Sequence, residues 1–139
     1  MDAPPTTFPW YVAAAWVAVG GAVGSVARYG VTVAAAVWTA GFGSAPVGTV
    51  LVNWAGCAAL GCVIGSSAGP DPPTWLCGPI GVGVRFGLLG GLTTFSTFVG
   101  DAYGLSSRSG VAVGYVAANL IGGGVALVAA ATITRGWGA

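Results

Sequence analysis

Long apolar runs alternate along the chain with short stretches rich in glycine, proline and serine. A membrane-crossing helix needs about 20 predominantly apolar residues, and four runs meet that length. They extend from about Trp10 through the Arg28–Tyr29 pair to Trp38, from Val47 to Gly65, from Leu76 to Tyr103, and from Val111 to Thr134. The first two are separated by Gly41-Phe42-Gly43-Ser44-Ala45-Pro46, which reads as a loop by its glycine and proline content. The run from Ser66 to Pro73 reads as a water-exposed connection. Trp10, Trp38, Trp75 and Trp137 all fall near span ends. An aromatic ring with one polar atom prefers the headgroup zone, so these positions support the four-span division independently of hydropathy. Trp16 and Trp54 lie deeper and have no such explanation. The pattern predicts a single all-α membrane domain over residues 1–139.

Composition strengthens that reading. Of 139 residues 55% are hydrophobic and only 5% charged, where a soluble globule carries about 25% charged residues. A net charge of +1 gives no basic footprint for nucleic acid. The sequence has no lysine, glutamate, glutamine or histidine, so no nucleophile–base pair of an enzyme can be assembled. With four spans, Arg85 and Arg135 fall on or nearest one side, and Arg28 and Arg108 the other. That even split leaves the positive-inside rule undecided. It reads either as a vote of too few charges to set an orientation or as dual topology, in which copies insert both ways and pair antiparallel.

The 26 glycines include Gly20 with Gly24 and Gly61 with Gly65, small residues four apart that allow close helix contact. Cys57, Cys62 and Cys77 have neither metal-site nor disulfide spacing and read as small apolar residues. More informative are the uncharged polar groups inside the spans. Thr49 and Asn53 share a helical face that Cys57 continues, and Tyr115 and Asn119 repeat the spacing with Gly123 next. Each asparagine must face protein or water. The two pairs read either as hydrogen-bonding glue between helices or as ladders of donors along a narrow path. The third span contains Gly90-Gly91-Leu92-Thr93-Thr94-Phe95-Ser96-Thr97-Phe98, a poor helix interior. A break here would free backbone carbonyls at mid-membrane, tolerated only where protein buries them or they line a polar site. Phe95 and Phe98 point from one helical face, and the positive edge of a phenyl ring attracts a small anion without formal charge.

Three segments together resemble the Fluc fluoride channels, also called the CrcB family. They are Gly20 to Tyr29 (GGAVGSVARY), Pro46 to Asn53 (PVGTVLVN) and Gly90 to Phe98 (GGLTTFSTF). The resemblance implies an antiparallel dimer in which the third helix is broken near its centre and two separate fluoride pores run along the interface. Phe95 and Phe98 would line the pores by their ring edges, and Asn53 would donate its amide to the anion. Thr49, Thr94, Ser96, Thr97, Tyr115 and Asn119 would supply further donors, and Arg28 would sit near an aqueous vestibule. The carbonyls of Gly90 and Thr93 would hold a structural sodium ion on the dimer axis. The partner would be a second copy or a paralogous subunit, and the setting the inner membrane of a bacterium exporting cytoplasmic fluoride. Asn119 and Gly123 stand where serines are common, and Gly123 offers no side-chain donor. Asp101 stands where a glutamate is usual, a mild change.

Two other functions compete. A small dual-topology multidrug exporter shares the size and charge balance, but it needs an intramembrane carboxylate to couple protons. This chain offers only Asp101, near a span end. A non-conducting assembly subunit would use its asparagines and glycines purely as glue.

Overall fold

A computed structural model describes residues 8–39, 46–69 and 71–136. The predicted loop at residues 41–45, Pro70 and Trp137 lie outside the described residues. Secondary structure among the described residues is helical throughout, and four helical segments are long and apolar enough to cross a membrane. The first is α1, Trp10–Thr39, and the second α2, Val47–Ser67. The third span, Pro79–Gly104, is divided into α3 over residues 79–92 and α4, Phe95–Gly104. The fourth is α5, Ser109–Gly136.

The third span starts later than its hydropathy implies. Thr74–Cys77 form one 3-10 turn, and Gly78 is extended at φ −100° and ψ −174°. Pro79 then occupies the first turn of α3, where its missing N–H costs nothing and its fixed φ suits a helix. Two π-helical turns, Gly83–Leu89 and Ala118–Gly122, have no hydropathy signature. At the second, Trp54 Nε1 donates to Ala118 O at 2.8 Å and its ring covers Gly122. That contact accounts for a tryptophan too deep for the headgroup zone.

Helix order follows from which positions lack a side chain. Gly20 and Gly24 of α1 meet the α3 backbone, where a Cβ would lie 2.8 Å from Leu88 N and from Leu92 N respectively. Gly87 and Gly91 return the contact, with a Cβ 2.6 Å from Val17 O and from Gly21 O. The numbers rise together, so α1 and α3 run parallel. On α2, a Cβ at Gly61 would touch Ala130 Cβ at 3.0 Å and one at Gly65 would meet Ala131 O at 2.5 Å, which sets α2 parallel to α5. Gly48 packs against Thr32, so α2 begins where α1 nears its end. In lipid, where apolar side chains gain nothing by leaving the tails, such backbone approach is what draws helices together.

Little aliphatic surface is buried. Among the described residues Val52 and Thr49 are the most enclosed side chains, Leu76 and Leu89 are also buried, and Phe98, Leu105 and Tyr115 form a small buried cluster. Tyr29, Val26 and Val37 of α1 each leave more than 70% of their surface open. Hydrocarbon or another apolar surface must cover them. Arg85 and Arg135 lie toward the end where α2 finishes, because Arg85 bonds Ser67 and Gly65 abuts Thr134. Arg28 and Arg108 lie toward the end where α2 begins, lining cavities with Thr49 and with Pro46.

Replacing Gly24 by valine should force α1 from α3 and lower the thermal midpoint of the detergent-solubilised protein by several degrees, corresponding to about 1–3 kcal/mol of overpacking. Gly30 has open space around its Cβ position, so Gly30→Val should leave the midpoint unchanged within about a degree.

Candidate functional site

The break in the third span falls two residues beyond the glycine pair. Gly90 keeps helical angles, φ −65° and ψ −36°. The chain opens at Thr93, φ −79° and ψ 156°, and at Thr94, φ −149° and ψ 122°. Thr93 still closes α3, donating from its N to Leu89 O at 3.0 Å and from its Oγ1 to the same oxygen at 2.9 Å. Thr94 opens α4: its Oγ1 accepts from Thr97 N at 3.2 Å, an N-cap of the kind threonine favours. The same hydroxyl donates to Thr97 Oγ1 at 3.0 Å and lies 3.4 Å from Ser96 Oγ.

The peptide groups at the break are held by Asn53. Its Oδ1 accepts from Thr94 N at 2.9 Å, and its Nδ2 donates to Thr94 O at 3.3 Å and to Asn119 Oδ1 at 2.9 Å. A carboxamide has the donor and acceptor of a peptide bond, so Asn53 pairs with Thr94 as a neighbouring strand would. Asn119, buried, passes the chain on by donating from Nδ2 to Tyr115 O at 3.1 Å. Both N–H groups of Asn53 are engaged within the protomer, so donation to an anion requires one of these bonds to give way. With Thr94 N turned to Asn53, Gly90 O loses its i+4 helical donor, and Gly90 is exposed on the protomer. A freed carbonyl of this kind suits a hard cation such as sodium.

The aromatic pair is divided in exposure. Phe95 and Phe98 touch, with ring centroids 5.7 Å apart, but Phe95 is 74% exposed and Phe98 only 7%. Phe98 stacks obliquely on Tyr115, also at 5.7 Å. Both phenylalanines line a groove of about 350 Å³ with Asn53, Thr93, Thr94 and Asn119. A second cavity of about 210 Å³ joins Arg28 to Thr49, Thr94 and Thr97. Thr94 therefore stands between the two. Ser96 and Thr97 are exposed at this depth, an expensive place for hydroxyls if only lipid faced them.

Asp101 has a larger part than its substitution for glutamate implied. Its Oδ2 accepts from Thr49 Oγ1 at 2.7 Å and from Tyr115 Oη at 3.0 Å. The carboxyl thus joins α2, α4 and α5 at one point. An acid inside a predicted span was the available signal, since such a residue in a membrane segment must find partners.

The arrangement is a bundle of membrane-spanning helices with a discontinuous helix at its centre, a layout that suits passage or binding of a small ion. Comparison with known proteins agrees. The family model for CrcB-like protein, Camphor Resistance (CrcB), matches residues 15–131. The chain is 39% identical over 125 residues to "Fluoride-specific ion channel FluC" of Paracoccus denitrificans, covering 86% of this chain and 92% of that one. It is 43% identical over 128 residues to "Fluoride-specific ion channel FluC 2" of Thermobifida fusca, covering 90% and 89%. A Chloroflexus aurantiacus relative named "Fluoride-specific ion channel FluC" is 33% identical over 126 residues, covering 88% and 94%. This chain belongs to the CrcB family of integral membrane proteins.

Asn53→Ala should leave the Thr94 peptide unpaired and lower unfolding stability by about 2–4 kcal/mol, read by denaturant titration in detergent. Tyr115→Phe removes one bond to Asp101 and should cost about 1 kcal/mol. In a Thr49→Val background that cost should differ, because both hydroxyls share one carboxyl oxygen.

Proposed function

We propose that this protein is a passive fluoride channel that works as an antiparallel pair of identical subunits in a bacterial inner membrane, exporting fluoride from the cytoplasm through two pores. The observation that carries the proposal is the surface presented at the break. Phe95, Ser96 and Thr97 project from the protomer at mid-span, beside a groove that reaches Asn53 and Asn119. Relatives that align over most of the chain bear the name fluoride-specific ion channel.

Fluoride is small and strongly hydrated, so a pore must replace its water with many close donors. Threonine and serine hydroxyls, the asparagine amides and the positive edges of Phe95 and Phe98 are such donors. None of them carries a full charge that would trap the ion, and conduction requires binding weak enough to release. A second copy packed over this face would shield the exposed hydroxyls from lipid, and the even distribution of four arginines lets the two copies insert oppositely. Gly90 O, with Thr93 O beside it, would face its counterpart and hold sodium. Bound there, the cation supplies positive charge close to both anion paths. Within each subunit, Asn53 and Thr94 keep the break open, and Arg28 raises the anion concentration in the cavity beside it.

Phe95→Ile is the sharper test, because the ring is exposed and its loss disturbs little packing. In proteoliposomes it should slow fluoride efflux at least tenfold while dimer and thermal midpoint persist. Phe98→Ile should slow efflux too, with a stability loss of about 1–3 kcal/mol from its buried contact with Tyr115. Full-rate efflux from both variants would contradict the ring-edge account.

A further inference from the structure

A guanidinium that the proposed conduction path does not use stands at the far end of the same groove. Arg85 lies on α3 within its π-helical turn, six residues into the span. Gly83 and Gly87 on either side of it are pressed to α1, and Arg85 points away from them toward α2. Its Nη2 donates to Ser67 Oγ at 2.7 Å, and Ser67 in turn donates to Val63 O at 2.7 Å. Its Nε is buried and has no hydrogen-bond partner among the described residues.

Arginine inside a membrane span is costly and ordinarily pairs or extends its head to the interface. Here the head reaches the last residue of α2, but its bonded partner is a neutral hydroxyl. Of the described acids, Asp101 is bonded to Thr49 and Tyr115 at the opposite end of the bundle, and Asp71, in the connection after α2, is exposed and makes no bond to Arg85. The Arg85 charge is therefore not cancelled by a bonded carboxylate among the described residues. Its side chain also lines the groove that contains Leu60, Asn53, Thr94, Phe95 and Phe98. A residue serving only to finish α2 would need no contact with that groove.

We infer that Arg85 is the cationic mouth of the groove, raising the local anion concentration at the end of the path opposite Arg28. The inference rests on the fluoride-channel reading. Thr94 lies on both cavities, so the two arginines bracket the break, one toward each membrane face. Ser67 positions the guanidinium at the mouth.

The test is fluoride efflux from proteoliposomes at low fluoride, across ionic strengths set with an impermeant salt. Arg85→Gln should slow efflux about three- to tenfold at 0.01 M ionic strength, the effect of removing one unit charge several ångströms from the path. The gap should close near 1 M, where the screening length is about 3 Å. Arg85→Lys should stay within about twofold of the wild type. Ser67→Asp, which keeps the arginine but neutralises it in place, should reproduce the slow, salt-sensitive behaviour of Arg85→Gln. Wild-type rates from Arg85→Gln or Ser67→Asp at low ionic strength would overturn the inference. So would equal slowing of the Gln and Lys variants at every ionic strength, the mark of a structural role. A wild type with no fluoride flux at all would instead overturn the channel reading, and this one with it.

Discussion

Everything at the centre of this molecule depends on the amide of Asn53 pairing with the peptide of Thr94. Interrupting a membrane helix exposes donors and acceptors that lipid cannot satisfy, at several kcal/mol each. The carboxamide answers both backbone polar groups of one residue, accepting from Thr94 N and donating to Thr94 O. Leucine would supply neither bond, and aspartate only the acceptor. The second Nδ2 hydrogen extends the arrangement to Asn119 and so ties α2 to α5 at the depth of the break. This is why a single polar side chain can hold open an irregular segment from which Phe95, Ser96 and Thr97 project.

The rest of the bundle supplies the closeness that this pairing requires. Glycine faces bring α1 against α3 and α2 against α5 until backbone meets backbone. Asp101 pins the far end by receiving Thr49 and Tyr115 together. With so few large side chains inside, the protomer has little aliphatic core of its own. Its stability belongs jointly to polar bonds, small-residue contacts and whatever apolar surface covers α1.

Much of this was legible in the sequence, for identifiable reasons. Span positions follow from hydropathy, because length and polarity alone decide whether a helix can cross a bilayer. The break was foreseeable from Gly90-Gly91 and Thr93-Thr94, although it lies at the threonines rather than the glycines, where Thr94 both pairs with Asn53 and caps α4. The matching spacings of Thr49 with Asn53 and of Tyr115 with Asn119 marked two polar helix faces without saying how they meet, and the Asn53–Asn119 bond gives the hydrogen-bonding reading a definite geometry. Three features were not legible. The π-helical turns depend on tertiary fit rather than on composition. The Asp101 junction needs the fold to bring Thr49 across 52 positions of sequence. The unequal exposure of Phe95 and Phe98 depends on Tyr115, which no spacing within α4 reveals.

The central claim is that the surface around the Asn53–Thr94 pairing conducts fluoride. Its most direct test is efflux from liposomes holding the purified chain alone, followed with a fluoride electrode beside a chloride control. The account predicts rapid fluoride loss with negligible chloride loss, without any other subunit and without a proton gradient. Equal loss of both anions, or no fluoride loss from folded protein, would contradict it.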